Sequence, residues 1–389
     1  MADLAYLFLD YETRATEDID EIGLDNYSRI AQPLMLGWAR NKNKIRVWFP
    51  KESMPAELHE SLLDPSVIKI AWYAGFERLI TERGAGIHIP ISQWRDPMIL
   101  ARSLSMPGKL ERVCEIMKLS SDEAKIEDGK RLINLFCKPN PKHAGQVTLF
   151  GVDDGFSDEQ THPKDWQLFV DYCVRDVTVE RDLWYKFLPL SFPEEQWEDW
   201  FISEEINDTG LPVNLDRCAK ALRLAVRYKE EAARSLNQMT GLENANSRDQ
   251  LLGWLHTQNY KLGSIQKGDV KSELETNPEL TELAKQVIRL RQRSSQTSYK
   301  KLERILKQVS PDGYLRHQFM YMGAARTGRW SSGGGINVQN LPRPIKVVEE
   351  NLEKALDLVD REDYDGIVRE YNGLVLPVVS SCLRSVFEV

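Results

Sequence analysis

Tyr6-Leu-Phe-Leu-Asp10-Tyr-Glu12-Thr13 is an apolar run interrupted by two carboxylates one residue apart. Four apolar or aromatic residues in a row read as a buried strand. Residues i and i+2 of a strand face the same side about 7 Å apart, so Asp10 and Glu12 share a face. Two anions at the end of such a strand repel each other, and burial penalises both charges, so the pair calls for a cation. Hard divalent ions such as Mg²⁺ or Mn²⁺ prefer oxygen ligands of this kind. Two solvated acids at a strand end are the alternative, and partners further along the chain have to decide.

At 389 residues the chain is long enough for two domains or more, each with its own core. No stretch approaches the roughly 20 apolar residues of a membrane span, and no signal peptide precedes the first strand. The expectation is a cytoplasmic protein without a membrane segment. Cys114, Cys137, Cys173, Cys218 and Cys382 lie singly, which suggests buried thiols rather than a zinc ribbon or a disulfide framework. A net charge of −8 excludes a general coating of nucleic acid but permits a local basic track.

Pro33-Leu-Met-Leu-Gly-Trp-Ala39 and Lys44-Ile-Arg-Val-Trp-Phe49 predict two more strands and, with the first, a three-stranded meander. A helix over 55–63 and a buried strand over 67–71 follow. Trp72-Tyr-Ala-Gly-Phe76-Glu77-Arg78 then reads as strand running into helix, which puts Glu77 near the mouth of a sheet. Residues 94–102 read as strand then helix, and 110–119 as an amphipathic helix. From Asp122 to Gly155 there is no clear period, and the acids from Asp153-Asp154 to Asp165 read as a solvated loop. A helix from Pro163 onward carries Tyr172-Cys-Val-Arg-Asp176, whose i, i+4 spacing turns the phenol and the carboxylate toward one point.

Prolines in Leu188-Pro-Leu-Ser-Phe-Pro193 mark a boundary, after which the pattern is mainly helical: 194–207, a long helix over 216–236, and helical or irregular chain to about 310. Residues 285–307 are strongly basic, with Lys300 and Lys301 at their centre. They read as a phosphate track or, equally simply, as a solvated face. In Arg326-Thr-Gly-Arg329-Trp-Ser-Ser-Gly-Gly-Gly-Ile-Asn337-Val-Gln339-Asn340-Leu-Pro342 the glycines permit close backbone approach while Arg329, Asn337, Gln339 and Asn340 offer fixed donors.

Asp10-x-Glu12, a third acid after a central strand, and Tyr-x-x-x-Asp on a late helix together resemble the 3′–5′ exonuclease domain of family A DNA polymerases. The resemblance covers residues 1–190 and includes Gly129 to Pro139, which is similar to the bacteriophage branch. It implies an α/β ribonuclease-H-like fold, a mixed sheet flanked by helices, in which four carboxylates hold two Mg²⁺ or Mn²⁺ ions and a tyrosine orients the attacking water. Asp10 and Glu12 match the first motif, Glu77 the second, and Tyr172 with Asp176 the third. Tyr172, with an ordinary pKa of about 10, is too weak a base to ionise at neutral pH. In the second motif Tyr73 stands where the family usually has asparagine, and Glu77 replaces the aspartate. A weaker second ion is the expectation.

Residues 191–389 resemble the thumb and the beginning of the palm of the same polymerases. Thr327, Arg329, Asn337, Gln339 and Asn340 match a motif that touches the minor groove of primer–template DNA, where acceptors are largely shared by all base pairs. Cys382-Leu-Arg384-Ser-Val-Phe387 looks like the segment just before the first catalytic aspartate of the palm, and no palm or fingers motif follows it. The expected function is thus a metal-dependent, proofreading 3′–5′ exonuclease part of a phage-like DNA replication polymerase. It binds single-stranded 3′ ends and primer–template, and makes no DNA alone. A second polypeptide or a missing C-terminal part would carry palm and fingers and dock on uncovered apolar residues over 374–379. The rival reading is a DNA-clamping, weakly nucleolytic subunit of a split polymerase; a repair or RNA-trimming nuclease is disfavoured by the segment from Thr327 to Pro342.

Overall fold

Leu7, Phe8 and Leu9 are fully buried, which makes β1 (Ala5–Arg14) the central strand of its sheet. The computed structural model describes residues 5–119, 124–142, 144–145, 147–148, 151–152, 154–190, 192–324 and 326–388. Asp122 and Asp153 lie outside the described residues. After β1 come α1 (Ile19–Ile30), β2 (Gln32–Arg40), β3 (Arg46–Trp48), α2 (Ala56–Leu63), β4 (Val67–Ile70), α3 (Ala74–Ala85), β5 (Trp94–Arg95), α4 (Pro97–Ser103), α5 (Leu110–Met117), α6 (Ala124–Phe136), β6 (Val147–Thr148), β7 (Gly151–Val152), α7 (Pro163–Phe187) and α8 (Glu194–Thr209). The five-stranded sheet has the order β3-β2-β1-β4-β5. β1, β2 and β3 are antiparallel neighbours, whereas β4 runs parallel to β1 and β5 parallel to β4.

Two local expectations need correction. The three strands of the meander are adjacent, but α1 intervenes between β1 and β2. Its start is capped by Asp18, and Gly23, at φ 78°, interrupts it, which hides the helical period of Ile22, Leu24 and Tyr27. The segment read as aperiodic contains α6. There Leu132 and Phe136 are buried against Met35, Phe169 and Cys173, a contact that only the tertiary fold supplies.

α7 lies against the sheet because β2 offers a glycine. A Cβ on Gly37 would stand 2.8 Å from Val177 Cγ2 and 2.9 Å from Cys173 Sγ. Phe169, Cys173, Val177 and Leu183 form the buried stripe of α7, at near-helical spacing.

Two compact units result, Met1–Leu211 with Lys307–Gln339, and Pro212–Leu306 with Asn340–Val389. The first unit thus runs past the boundary expected at 190. Trp197 and Trp200 of α8 are buried in the same core as Trp184 and Phe187, and the Asn207 side chain donates to Phe319 O at 2.9 Å while its Oδ1 accepts the Phe319 N–H at 3.0 Å. Short strands β8 (Leu211–Pro212) and β9 (Tyr314–Leu315) precede an antiparallel hairpin of β10 (Phe319–Ala324) and β11 (Arg329–Ser332), whose register shifts between Met320 and Ala324. Arg102 of α4 donates to Tyr321 O at 3.1 Å, which ties the hairpin to the sheet's helices.

The second unit is helical. α9 (Leu215–Thr240) buries Cys218, Ala221, Leu224, Ala225, Tyr228, Ala232 and Leu236 along one stripe. Around it are α10 (Arg248–Thr257), α11 (Lys267–Thr276), α12 (Glu282–Ser294), α13 (Lys300–Gln308), α14 (Lys346–Glu349), α15 (Leu352–Asp360), α16 (Tyr364–Glu370) and α17 (Val375–Ser381). The basic stretch over 285–307 is two helices, broken at 295–299 by a polar run. The apolar docking face expected over 374–379 does not exist as an exposed surface. Val375, Leu376, Val378 and Val379 are fully buried as α17 packs on α9. No helix among the described residues is long and apolar enough to cross a membrane.

Gly37→Val should lower the melting temperature, because overpacking at the β2–α7 contact costs roughly 1–3 kcal/mol. Gly253→Ala, inside α10 where a Cβ meets nothing within 4 Å, should raise stability instead. Thermal unfolding of the two variants beside the parent checks both signs.

Candidate metal centre

Past Phe8, β4 no longer pairs with β1, and the strand end carrying Asp10 and Glu12 lies beneath α7. Cys173 Sγ sits 3.7 Å from Asp10 O, and the next turn of α7 brings Asp176 over the pair. Carboxylate oxygens of Asp10, Glu12 and Asp176 all fall within 4.8 Å of one another. Three acids on two elements thus converge, two from the alternation of β1 and one from the helical spacing of α7.

Glu77 is 3% exposed and stands beside this cluster rather than in it. Its Oε2 accepts the Tyr11 N–H at 3.0 Å, a bond to the backbone between Asp10 and Glu12. Tyr172 hydrogen-bonds the Asp176 carboxylate. A Cβ on Gly129 of α6 would lie 2.7 Å from the Tyr172 ring, so that glycine lets α6 close over the phenol.

Burial dominates the electrostatics. It raises Asp10, Glu12 and Glu77 well above the usual carboxylate range, and each is raised further by its acidic neighbours: Asp10 by Asp176, Glu12 by Asp10 and Asp176, Glu77 by Asp10 and Glu180. Asp176 is pushed up to about 6 by burial, against the hydrogen bond from Tyr172 and the charge of Arg175. The Tyr172 phenol departs from its expected ordinary value. Burial and then Asp176, Glu12 and Asp10 hold it far above the normal range, which strengthens its reading as a donor and weakens any role as a base. Such a donor set, anionic oxygens converging with little local cation, fits a hard divalent ion.

A cleft of about 740 Å³ opens beside Asp176 and Tyr172, with Lys109, Lys130 and Arg175 on its wall and Tyr73 at its edge. Met320 and Gly323 of the hairpin also line it. Sequence reading missed Arg175, although it lies inside the quoted Tyr-x-x-x-Asp motif. It also missed two buried acids. Glu180, 1% exposed and one turn beyond Asp176, accepts the Trp72 N–H at 2.8 Å. Asp96 accepts the N–H groups of Tyr73 and Ala74 at 3.1 Å each. The i+4 spacing from Asp176 was the one available signal for Glu180.

The residues expected to touch DNA fall in both units. In the first, Thr327 lies in the turn between β10 and β11, Arg329 opens β11, and Asn337 and Gln339 follow; all four are exposed. In the second, Lys300 is exposed and Lys301 Nζ donates to Asn340 O at 3.3 Å.

Acids whose pKa is higher folded than unfolded bind more protons in the native state, so their stabilisation is complete at low pH and lost as pH rises through the folded value. For Asp176 that window runs from the ordinary 3.8 to about 6. Asp25, where hydrogen bonds from Arg83, Ser310 and Arg29 outweigh burial, is held low, and its opposite contribution fades only below pH 3.8. Without divalent ions the protein should melt at a higher temperature at pH 5 than at pH 7.5, Asp176→Asn should shrink the difference, and Mn²⁺ at pH 7.5 should restore stability. Scanning calorimetry in chelator, then in Mn²⁺, reads all three.

No family model matches the chain. It is 30% identical over 388 residues, 98% of its length, to a DNA polymerase of Bacillus phage SP02. The POL domain of Pol1 from M. smegmatis, in complex with DNA primer-template and dNTP, is similar at 16% identity with a TM-score of 0.48, over 88% of this chain and 53% of that one. The chain spans 57% of the phage polymerase's length and is similar to it along nearly the whole of its own.

Proposed function

We propose that the first unit is a ribonuclease-H-like, metal-dependent 3′–5′ exonuclease that removes the terminal nucleotide of a DNA strand, as the proofreading part of a family A polymerase acting in the cytoplasm of the host cell. The observation that carries this reading is the convergence of Asp10, Glu12 and Asp176 within 4.8 Å, with Tyr172 bonded to Asp176. The relation to a phage DNA polymerase supports it.

Asp10, Glu12 and Asp176 would hold one Mg²⁺ or Mn²⁺, and Asp10 with Glu77 the second. Bound there, such cations supply Lewis-acid activation of water and offset the charge that builds on the scissile phosphate. The chain's own part is positional. Tyr172, kept protonated by burial, spends its one O–H on the Asp176 carboxylate and offers its phenol oxygen as the acceptor that would fix the direction of the attacking water. Lys109, Lys130 and Arg175 offer cations to the phosphates of a single strand lying in the cleft, and Tyr73 offers a ring to its bases. Because Glu77 spends one oxygen on the Tyr11 N–H and stands outside the three-acid cluster, a second ion would be held more weakly than the first. In this reading Thr327, Arg329, Asn337, Gln339 and Asn340, with Lys300 and Lys301, grip primer–template.

Asp10→Ala and Asp176→Ala should each abolish 3′-end degradation with the fold retained. Tyr172→Phe should cost roughly 10²-fold or less, since it deletes one oriented hydrogen bond. Glu77→Asp should shift the Mg²⁺ and Mn²⁺ concentrations for half-maximal rate rather than destroy activity. A labelled single-stranded DNA assay in graded metal reads every variant, and degradation by Asp10→Ala at the parent rate would refute the assignment. For the duplex, neutralising Lys300 and Lys301 should flatten the salt dependence of binding by about one unit of slope for each phosphate no longer engaged.

A further inference from the structure

α3 carries Glu77, yet its own sequence provides no cap for its start. The N-cap residue is Tyr73, whose side chain accepts no bond and whose backbone is left-handed, at φ 66° and ψ 52°. The first N–H groups of a helix need acceptors, and the positive end of the helix dipole favours anionic ones. Three consecutive N–H groups here are taken by two buried carboxylates from elsewhere in the unit. Trp72 N–H goes to Glu180 Oε2 at 2.8 Å, Tyr73 N–H to Asp96 Oδ1 and Ala74 N–H to Asp96 Oδ2, both at 3.1 Å. Asp96 already caps α4 through the Met98 N–H at 2.9 Å, so its place is fixed independently of α3. Glu180 has no such second bond: its Oε1 is buried and has no hydrogen-bond partner among the described residues.

The position of Glu180 in the chain gives the bond its meaning. One turn before it on α7 is Asp176, and five residues after Trp72 is Glu77, whose carboxylate reaches back to the Tyr11 N–H. β1, α3 and α7, the three elements that bring acids to the centre, are thus joined by carboxylate-to-backbone bonds. Resting on the exonuclease reading above, we propose that Glu180 is a positioning residue of that site: by holding the Trp72 N–H it keeps α3, and with it Glu77, in register with Asp10 and Asp176. Its acceptor oxygen does this, not its charge. Without that acceptor the left-handed turn at Tyr73, strained for an ordinary L-residue, loses one of its three restraints.

Glu180→Ala and Glu180→Gln separate the possibilities, because glutamine keeps an acceptor for the Trp72 N–H and removes only the charge. Three measurements on the full chain test the assignment: Mn²⁺ binding by electron paramagnetic resonance, amide exchange of peptides covering 70–80, and the steady-state kcat and KM for removal of the terminal nucleotide. Glu180→Ala should weaken binding of the looser Mn²⁺ and lower kcat, each by about 10- to 100-fold, with KM for DNA unchanged. It should also speed exchange over 70–80 while exchange elsewhere stays at the parent rate. Glu180→Gln should stay within about threefold of the parent in every measure. Parent-like Mn²⁺ binding and exchange in the alanine variant would overturn the proposal; so would a glutamine variant as impaired as alanine, which would make the charge itself a ligand. Asp10→Ala is the control for the underlying reading. If that variant still degrades DNA, the exonuclease assignment fails, while Mn²⁺ binding and exchange still judge Glu180.

Discussion

The first unit is built around buried negative charge. Burial and acidic neighbours within the group raise the pKa values of Asp10, Glu12, Glu77 and Glu180, and burial raises that of Asp176 against the hydrogen bond from Tyr172 and the charge of Arg175. A cluster of this kind opposes folding unless it is protonated, bonded to N–H groups or given a cation. The second remedy is visible in how Glu77 and Glu180 are set, each accepting a backbone N–H, from Tyr11 and Trp72 respectively. The apolar strand beneath them, the glycine contact at Gly37 and the aromatic packing of Phe136 and Phe169 supply the cohesion that keeps the acids together.

What was legible in the sequence is what periodicity carries. The alternation of β1 put Asp10 and Glu12 on one face, and the helical spacing of Tyr172 and Asp176 aimed both at a single point. What brought the two faces together was a missing side chain at Gly37, which no period announces. Glu180 and Asp96 escaped because their partners are backbone N–H groups, and composition says nothing of which N–H groups lack a strand or helix partner. The run over 374–379 was misread for a related reason. Apolar residues on a short helix report that they are buried, not what buries them, and here α9 of the same unit does so.

The unusual residue at position 73 now has a conformational account. The turn from β4 into α3 requires a left-handed backbone there, which asparagine adopts more readily than other non-glycine residues. The asparagine of the motif that this segment resembles would suit that turn. Tyrosine accepts the strain, its ring lining the cleft, and the carboxyl acceptors on both sides hold the turn in place.

Residues 307–339 belong with a unit whose other residues end at 211. Asn207 and Phe319 meet across 112 positions of chain, and Arg102 reaches Tyr321 across 219. During synthesis, which proceeds from the N-terminus, the five-stranded sheet can assemble early, but the wall of its cleft formed by Met320 and Gly323 arrives only after the whole of 212–306 has been made. Until then Tyr321 is absent from the core and the Asn207 amide lacks its partner. The nascent chain therefore carries its converging acids before it carries a finished cleft, and the order of translation itself separates assembly of the centre from completion of the surface beside it.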